Sequence, residues 1–296
     1  FDVTVFEALH EIGGVLKYGI PEFRLPNAIV DVEIENLQKM GVKFITDCIV
    51  GKTISVKNLE EQGFRGFFIG SGAGLPNFMN IPGENALNIM SSNEYLTRVN
   101  LMDAANPHSD TPINLGKKVV VVGGGNTAMD SCRTVKRLGA EVRLVYRRSE
   151  AEMPARLEEV KHAKEEGINF MTLHNPKEYE ADEKGAVKAV VLDVMQLGEP
   201  DASGRRRPEA TGETITLECD QVIVAVGVSP NPLVPQSIEG LELGRKNTIA
   251  VNDQMQSSIE EIYAGGDIVR GGATVILAMG DGRKAALNMS EKLLKK

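Results

Sequence analysis

Residues 117–148, KKVVVVGGGNTAMDSCRTVKRLGAEVRLVYRR, constrain the fold more than any other stretch of the chain. Val119–Val122 is a short, wholly apolar, β-branched run, the pattern of a strand covered on both faces in a parallel sheet. Gly123, Gly124 and Gly125 follow, and Ala128 completes a G-x-G-x-x-A spacing. Ala128, Met129, Cys132 and Val135 then recur at the spacing of one helical face. Gly139 stands where a helix C-terminal cap is expected. Val142–Tyr146 is a second apolar strand, and Arg147 and Arg148 stand at its end. The unit is a strand, a tight turn, a helix and a second strand, which is an α/β plan.

This order of elements predicts a dinucleotide site. Gly123 permits the turn, Gly125 lets backbone approach a pyrophosphate, and Ala128 lets the helix pack on the sheet. The helix start, with Asn126 and Thr127, offers unpaired N–H groups to phosphate oxygens. Where an NAD site carries an acid for the ribose hydroxyls, this chain carries Arg147 and Arg148, which suit a 2′-phosphate and hence NADPH. The plain alternative is a glycine turn in an α/β protein that holds no ligand.

Charge and composition narrow the partners. The 296 residues allow two domains. The net charge of −8 argues against nucleic acid. No apolar run reaches the ~20 residues of a membrane helix, and no secretory signal is visible. Cys48, Cys132 and Cys219 are far apart, with no C-x-x-C, which fits a reducing cytoplasm and gives no metal site. His108 lies in a polar loop and His162 has no partner at metal-ligand spacing, so both read as solvated or structural.

The chain opens at Phe1 on DVTVFE, a short strand ending in Glu7. An acid there suits the second strand of a dinucleotide fold, about 20 residues after its glycines. Those glycines are then expected upstream of residue 1. Taken alone, Glu7 reads more simply as a surface carboxylate at a strand end. The next segment, GGVLKYGIPEFRLP (13–26), is rich in glycine and proline and reads as a fixed loop. It closely resembles G-G-x-L-x-Y-G-I-P-x-F-R-L-P of the small-subunit family of NADPH-dependent glutamate synthase. Relatives of that family include the flavin part of dihydropyrimidine dehydrogenase and NADH-dependent ferredoxin:NADP oxidoreductase. In that family the loop wraps FAD. The resemblance implies that Glu7 binds the adenosine ribose, that Gly14 and Val15 lie against the cofactor, and that Arg24 contacts it.

Other segments resemble the same family in the same order. GFFIGSGA (66–73) is similar to its first crossover, with Gly70 and Ser71 in place of Ala and Thr, and IPGEN (81–85) to the sequel. RRSEAEMPA (147–155) is similar to its R-R-x-E-A-E-M-P-A run. DQVIVAVGVSPN (220–231) resembles the second crossover, which implies Ala225 and Gly227 near the nicotinamide nucleotide. In YAGGDIVRGGATV (263–275), the resemblance implies that Gly266 and Asp267 hold the ribityl chain of FAD. It also implies that Ala273, Thr274 and Val275 begin a helix facing the flavin pyrimidine ring, where a helix N-terminus favours negative charge.

Secondary structure is expected as follows. Residues 28–40 form a helix with Val30, Ile34 and Leu37 on one face, and Val42–Val50 a strand. The polar stretch 103–116 is the candidate linker between domains. INFMTLH, AVKAVVLDVMQL and TITLECDQVIVAVG give three antiparallel strands inserted in the second domain. The basic triplet Arg205–Arg207 invites a phosphate role, but Pro200, Gly204 and Pro208 around it read as an exposed hairpin loop.

The expectation is therefore an α/β chain of two Rossmann-like three-layer domains. Residues 1–110 and 245–296 form an FAD domain, and 111–244 an inserted NADPH domain. By the resemblance it is a cytoplasmic oxidoreductase that passes hydride from NADPH to FAD. Its electrons leave through iron–sulfur clusters, housed in a region upstream of Phe1, to the glutamate synthase large subunit. Another electron-accepting subunit, as in ferredoxin:NADP oxidoreductase, or a nucleotide-binding module without catalysis remain open. Thioredoxin reductase chemistry is disfavoured by the missing C-x-x-C.

Overall fold

A computed structural model describes residues 1–200 and 204–295. The chain divides into two units. One comprises residues 1–12, 31–75 and 228–296, the other residues 13–30 and 76–227.

The second unit is built on a five-stranded, all-parallel sheet. Its strands, in spatial order, are Ile89–Ser91, Gln221–Val224, Lys118–Val122, Glu141–Tyr146 and Asn169–Thr172. The register is continuous, with Val121 beside both Ile223 and Leu144. The two faces of the sheet explain the unbroken apolar runs. Val119, Val121, Leu144 and Ile223 pack against Met129, Cys132 and Val135 of the helix Asn126–Arg137. The alternate residues Val120, Val122, Val145 and Val222 pack against Val190, Leu192 and Leu217 of a second sheet. The residues of the central strand beyond Lys118 and those of Gln221–Val224 are buried because both faces are covered. The layers are thus helices, parallel sheet and antiparallel sheet.

That antiparallel sheet consists of His174–Ala181, Val187–Pro200 and Arg206–Glu218. The expected trio of antiparallel strands is redistributed accordingly. Asn169–Thr172 and Gln221–Val224 belong to the parallel sheet, and His174–Ala181 supplies the missing antiparallel strand. The stretch around Arg205–Arg207 is mostly strand rather than loop, with Pro200 opposite Arg206. Residues 201–203 lie outside the described residues.

Residues 103–116 do not link domains. The polar loop is held within the second unit: Arg98 donates through Nη1 to the Pro112 carbonyl (2.7 Å), and Gln221 through Nε2 to that of Asn114 (3.0 Å). The unit boundaries lie instead near residues 75 and 227. Residues 13–30, expected with the FAD domain, belong to the second unit, and 228–244 to the first.

The first unit contains two parallel strand pairs, Thr4–Phe6 with Lys43–Ile45 and Phe67–Ile69 with Ile262–Ala264. The expected strand 42–50 stops at Ile45 because Asp47 turns to a φ of 55°. Ile69, Ile249, Ile262, Ala264 and Ile268 form its core. The long helix Val275–Lys295 closes the chain. The helix Asn27–Lys39 forms as expected, but of its apolar stripe only Val30 is buried, and Leu37 is 43% exposed. Among the described residues, no helix is long and apolar enough to cross a membrane.

Candidate functional site

The glycine turn sits at the C-terminal end of the strand Lys118–Val122, in the middle of the parallel sheet. Its three glycines do different things. Gly123 has a φ of 146°, and a Cβ there would overlap the Ala225 carbonyl oxygen on the neighbouring strand end. Neither the backbone angle nor the space admits a side chain. A Cβ on Gly124 would meet the Tyr146 ring at 2.6 Å. Gly125, by contrast, faces open space, with only Pro154 at 4.0 Å. The first two glycines are needed by the fold, and the third leaves room.

The N–H groups around that room are unspent. Gly123 N–H donates to the Val145 carbonyl (3.0 Å). For Gly124, Gly125, Asn126 and Thr127, no acceptor of the backbone N–H is found among the described residues. The helix that starts there runs twelve residues, to Arg137, and Gly139 ends it with a φ of 99°. Four free donors at a helix start form a ready anion cradle. The Asn126 side chain works structurally: its Oδ1 accepts from Arg156 N–H (2.9 Å). Ala155 N–H donates to the Gly124 carbonyl (3.1 Å). The segment 153–156 is thereby fixed beside the turn. A pyrophosphate fits this geometry, because a Cβ on Gly125 would fill the space the phosphate needs.

The two arginines at the tip of the next strand are not equivalent. Arg147 is exposed, and no partner for its side chain is found among the described residues. Arg148 is buried, and its Nε donates to the Arg206 carbonyl (2.9 Å). Tyr146, just before them, lies under Gly124 and donates from Oη to the Glu152 carbonyl (3.0 Å). Ala225 backs the turn, its N–H on the Val122 carbonyl (2.8 Å). Gly227 accepts from Asn77 N–H (3.0 Å).

Arg24, expected against flavin, is engaged elsewhere. Its Nη1 donates to both carboxylate oxygens of Asp130, at 2.8 and 2.6 Å, and its Nε pairs with Glu159 at 3.1 Å. Glu159 also accepts from Arg133 (2.7 Å), which donates in turn to Glu166 (3.0 Å), where Arg137 joins (2.8 Å). The Phe23 ring lies 4.6 Å from the Arg133 guanidinium carbon and 4.2 Å from that of Arg137. The loop 13–30 is therefore clamped onto the dinucleotide helix by alternating charges. Asn100 adds a bond to the Tyr18 carbonyl (3.1 Å). Burial raises the Asp130 carboxyl to about 6, against the pull of Arg24. Gly14 and Val15 precede this clamp: a Cβ on Gly14 meets nothing within 4 Å, and Val15 is half exposed.

In the other unit, Glu7 follows the strand Thr4–Phe6 and is half-buried. One of its oxygens accepts from Leu9 N–H (2.9 Å), which fixes the carboxylate and leaves the second oxygen for a hydroxyl. Asp267 ends the turn after Ile262–Ala264, and its Oδ1 accepts from Ala273 N–H (2.9 Å). Gly266 N–H donates to Asp281 (3.1 Å), a buried residue that also takes a bidentate pair from Arg270 at 2.6 Å on each oxygen. Thr274 leads into the helix Val275–Lys295, and the N–H groups of Thr274, Val275 and Ile276 have no acceptor among the described residues.

Three features escape the sequence reading: the Arg24–Asp130–Glu159 clamp, the bond between Arg148 and Arg206, and the Asp281–Arg270 brace. Their signal is faint. A cation in an apolar loop and a carboxylate on a packed helix are complementary, but 106 residues separate Arg24 from Asp130.

Comparison with known proteins agrees with this geometry. Residues 7–282 match the family described as pyridine nucleotide-disulphide oxidoreductase. The chain is 36% identical over 98% of its length to a putative glutamate synthase [NADPH] small chain of Cereibacter sphaeroides, covering 71% of that protein. It is 38% identical over 99% of its length to the NADP(+)-dependent formate dehydrogenase subunit beta of Moorella thermoacetica, but spans only 41% of that subunit. Among solved structures, FprA of Mycobacterium tuberculosis in complex with NADPH aligns with a TM-score of 0.82 at 20% identity, over 99% of this chain and 78% of FprA. Lactococcus lactis thioredoxin reductase aligns over the full length of both chains with a TM-score of 0.71 at 18% identity. With the two-unit α/β architecture and the intact glycine turn, these matches establish that the chain belongs to the pyridine nucleotide-disulphide oxidoreductase family.

Proposed function

We propose that this chain is the NADPH-oxidising, flavin-binding part of a larger electron-transfer enzyme. One observation carries the reading: four unpaired N–H groups at Gly124–Thr127 surround the open face of Gly125, and the strand after that helix ends in an exposed Arg147. The amides and the helix dipole hold the pyrophosphate. Arg147 and the Nη groups of Arg148 take the 2′-phosphate. Ala225 and Gly227 form the wall for the nicotinamide half.

Glu7 would hold the adenosine ribose of FAD, Asp267 the ribityl chain, and the start of the helix at Val275 the pyrimidine edge. FAD supplies, when bound, the two-electron acceptor for the nicotinamide hydride. No acid–base pair is required of the protein, which contributes alignment and fixed charge. Arg24 holds the loop that carries Gly14 and Val15 on the nucleotide helix of its own unit.

The physiological acceptor belongs to a partner subunit. The glutamate synthase large subunit is the first reading, with iron–sulfur clusters upstream of the flavin part and a cytoplasmic location. A different acceptor subunit is the second. It is favoured by relatives named formate dehydrogenase subunit beta and NADPH-Fe(3+) oxidoreductase subunit beta, of which this chain spans under half. The test is dinucleotide selectivity. Arg147→Ala should weaken NADPH at least about tenfold, the worth of one charge-assisted contact, and leave NADH nearly unchanged. Equal weakening of both cofactors removes the 2′-phosphate assignment.

A further inference from the structure

The β-hairpin that carries the basic triplet is tied to the end of the strand that carries Arg147 and Arg148. Arg206 has its backbone in two bonds to that strand end: its carbonyl accepts from Arg148 Nε (2.9 Å), and its N–H donates to Glu152 Oε1 (3.1 Å). The Arg206 side chain turns back into its own hairpin, onto the carbonyls of Leu197 (3.0 Å) and Gly198 (3.4 Å). Glu152 is itself fixed. Its Oε2 accepts from Ser149 N–H (3.2 Å) and Ser149 Oγ (2.9 Å). Ser149 directly follows Arg148, so Arg148, Arg206, Glu152 and Ser149 close a ring of hydrogen bonds.

The consequence for Arg148 is geometric. A guanidinium has five N–H donors in a rigid plane. With Nε committed to Arg206, the plane is fixed, and no acceptor among the described residues meets either Nη group. Neither Nη is sealed off from solvent without a partner. Arg148 is thus a buried side chain with an unspent two-pronged end, the form that binds a phosphate bidentately.

We propose that the hairpin end at Arg206 and the carboxylate of Glu152 are specificity-determining elements of the NADPH site, acting as positioning groups that set Arg148 for the adenosine 2′-phosphate. The proposal rests on the NADPH reading above and deepens it. The sign of its main prediction runs against simple charge counting. Glu152 is an anion beside a site for an anionic phosphate, so its removal alone should favour NADPH through space. If it works by holding Arg206 and thereby Arg148, its removal should disfavour NADPH.

The test measures dissociation constants of the full chain for NADPH, NADH, 2′,5′-ADP and 5′-AMP by fluorescence or calorimetry. The variants are Arg148→Ala, Glu152→Ala, Glu152→Gln and Glu152→Ala with Arg148→Ala. Glu152→Ala should weaken NADPH and 2′,5′-ADP at least about fivefold and leave NADH and 5′-AMP within about twofold, as loss of one well-placed contact implies. Glu152→Gln, which keeps an acceptor for one of the N–H groups and is the readout should Glu152→Ala not fold, should fall between wild type and alanine. In the Arg148→Ala background, Glu152→Ala should cause no further loss of selectivity. Tighter NADPH binding in Glu152→Ala, equal loss of NADH, or full additivity with Arg148→Ala overturns the proposal. If Arg148→Ala reduces selectivity and Glu152→Ala does not, only the positioning role fails. If neither Arg147→Ala nor Arg148→Ala changes selectivity, the NADPH reading fails with it.

Discussion

Replacing Arg24 by alanine should destabilise the second unit in a way that depends on pH. Asp130 is 4% exposed, and both its oxygens are met by Arg24 Nη1. Glu159 keeps Arg133 at 2.7 Å when Arg24 is removed, but Asp130 loses its direct cation. Breaking a buried pair from one side costs about 3–5 kcal/mol. For a unit of this size, each kcal/mol moves Tm by about 2–4 °C, so ~4 kcal/mol is about 8–16 °C. Burial already holds the Asp130 carboxyl up at about 6, against 3.8 for an unburied one. A raised carboxyl contributes stability that is complete below its unfolded value and lost as pH climbs through its folded value. Without Arg24 the folded value rises further, so more is lost on going to neutral pH. The loss caused by Arg24→Ala should therefore be small near pH 5, grow once pH passes the wild-type value of about 6, and amount to roughly 3 kcal/mol by pH 8, since each unit is worth about 1.4 kcal/mol. Adding Asp130→Asn should recover most of it, because the unpaired charge is gone. Calorimetric melts at the two pH values, with the double variant, measure this. A loss that is equal at pH 5 and pH 8, or an Asp130→Asn that adds to the damage, would refute the buried-charge account.

The glycine turn offers a paired prediction. Gly123→Ala should destabilise the fold by several kcal/mol, because its Cβ would overlap the Ala225 carbonyl. Gly125→Ala should leave Tm nearly unchanged yet abolish measurable NADPH binding by fluorescence; retained binding would show that the open face is not the phosphate site. Asp281→Ala should destabilise the first unit, since Gly266 N–H loses its acceptor and Arg270 its brace. The Arg270 hydrogen bond holds the Asp281 carboxyl below its usual range despite burial. The wild-type contribution should be full at neutral pH and fall away as pH drops through the carboxylate range, which a melt series at falling pH would follow.

The parts of the fold legible in the sequence are those where burial is two-sided or periodic. Val119–Val122 announces itself because each residue packs on one sheet face or the other. The first half of the strand Arg206–Glu218 does not, because it is almost wholly exposed and no alternation marks it, so its Pro208, Gly212 and charges resemble a loop. The stretch 103–116 has the composition of a linker, and only its bonds to Arg98 and Gln221 reveal a loop pinned to one unit. For the site, the turn and the arginine pair follow from spacing. Spacing is silent on the difference between Arg147 and Arg148, which depends on a carbonyl 58 residues away. Arg24 is the plainest case: its residue type and loop were recognisable, but its partners lie on helices that local sequence cannot bring to it.

The clamp also sets an order of events during synthesis. Residues 13–30 leave the ribosome long before the helix they pack on. Arg24 must wait for Asp130, 106 residues later, and for Glu159 beyond it. At about 5–20 residues per second, that is an interval of roughly 5–20 s. Until the nucleotide helix emerges, Phe23 and the apolar side chains beside Arg24 lack the helix they pack on, although Tyr18 gains Asn100 somewhat earlier. The segment is a nascent-chain liability until the nucleotide helix emerges, and its capture by that helix is the step that ends the exposure.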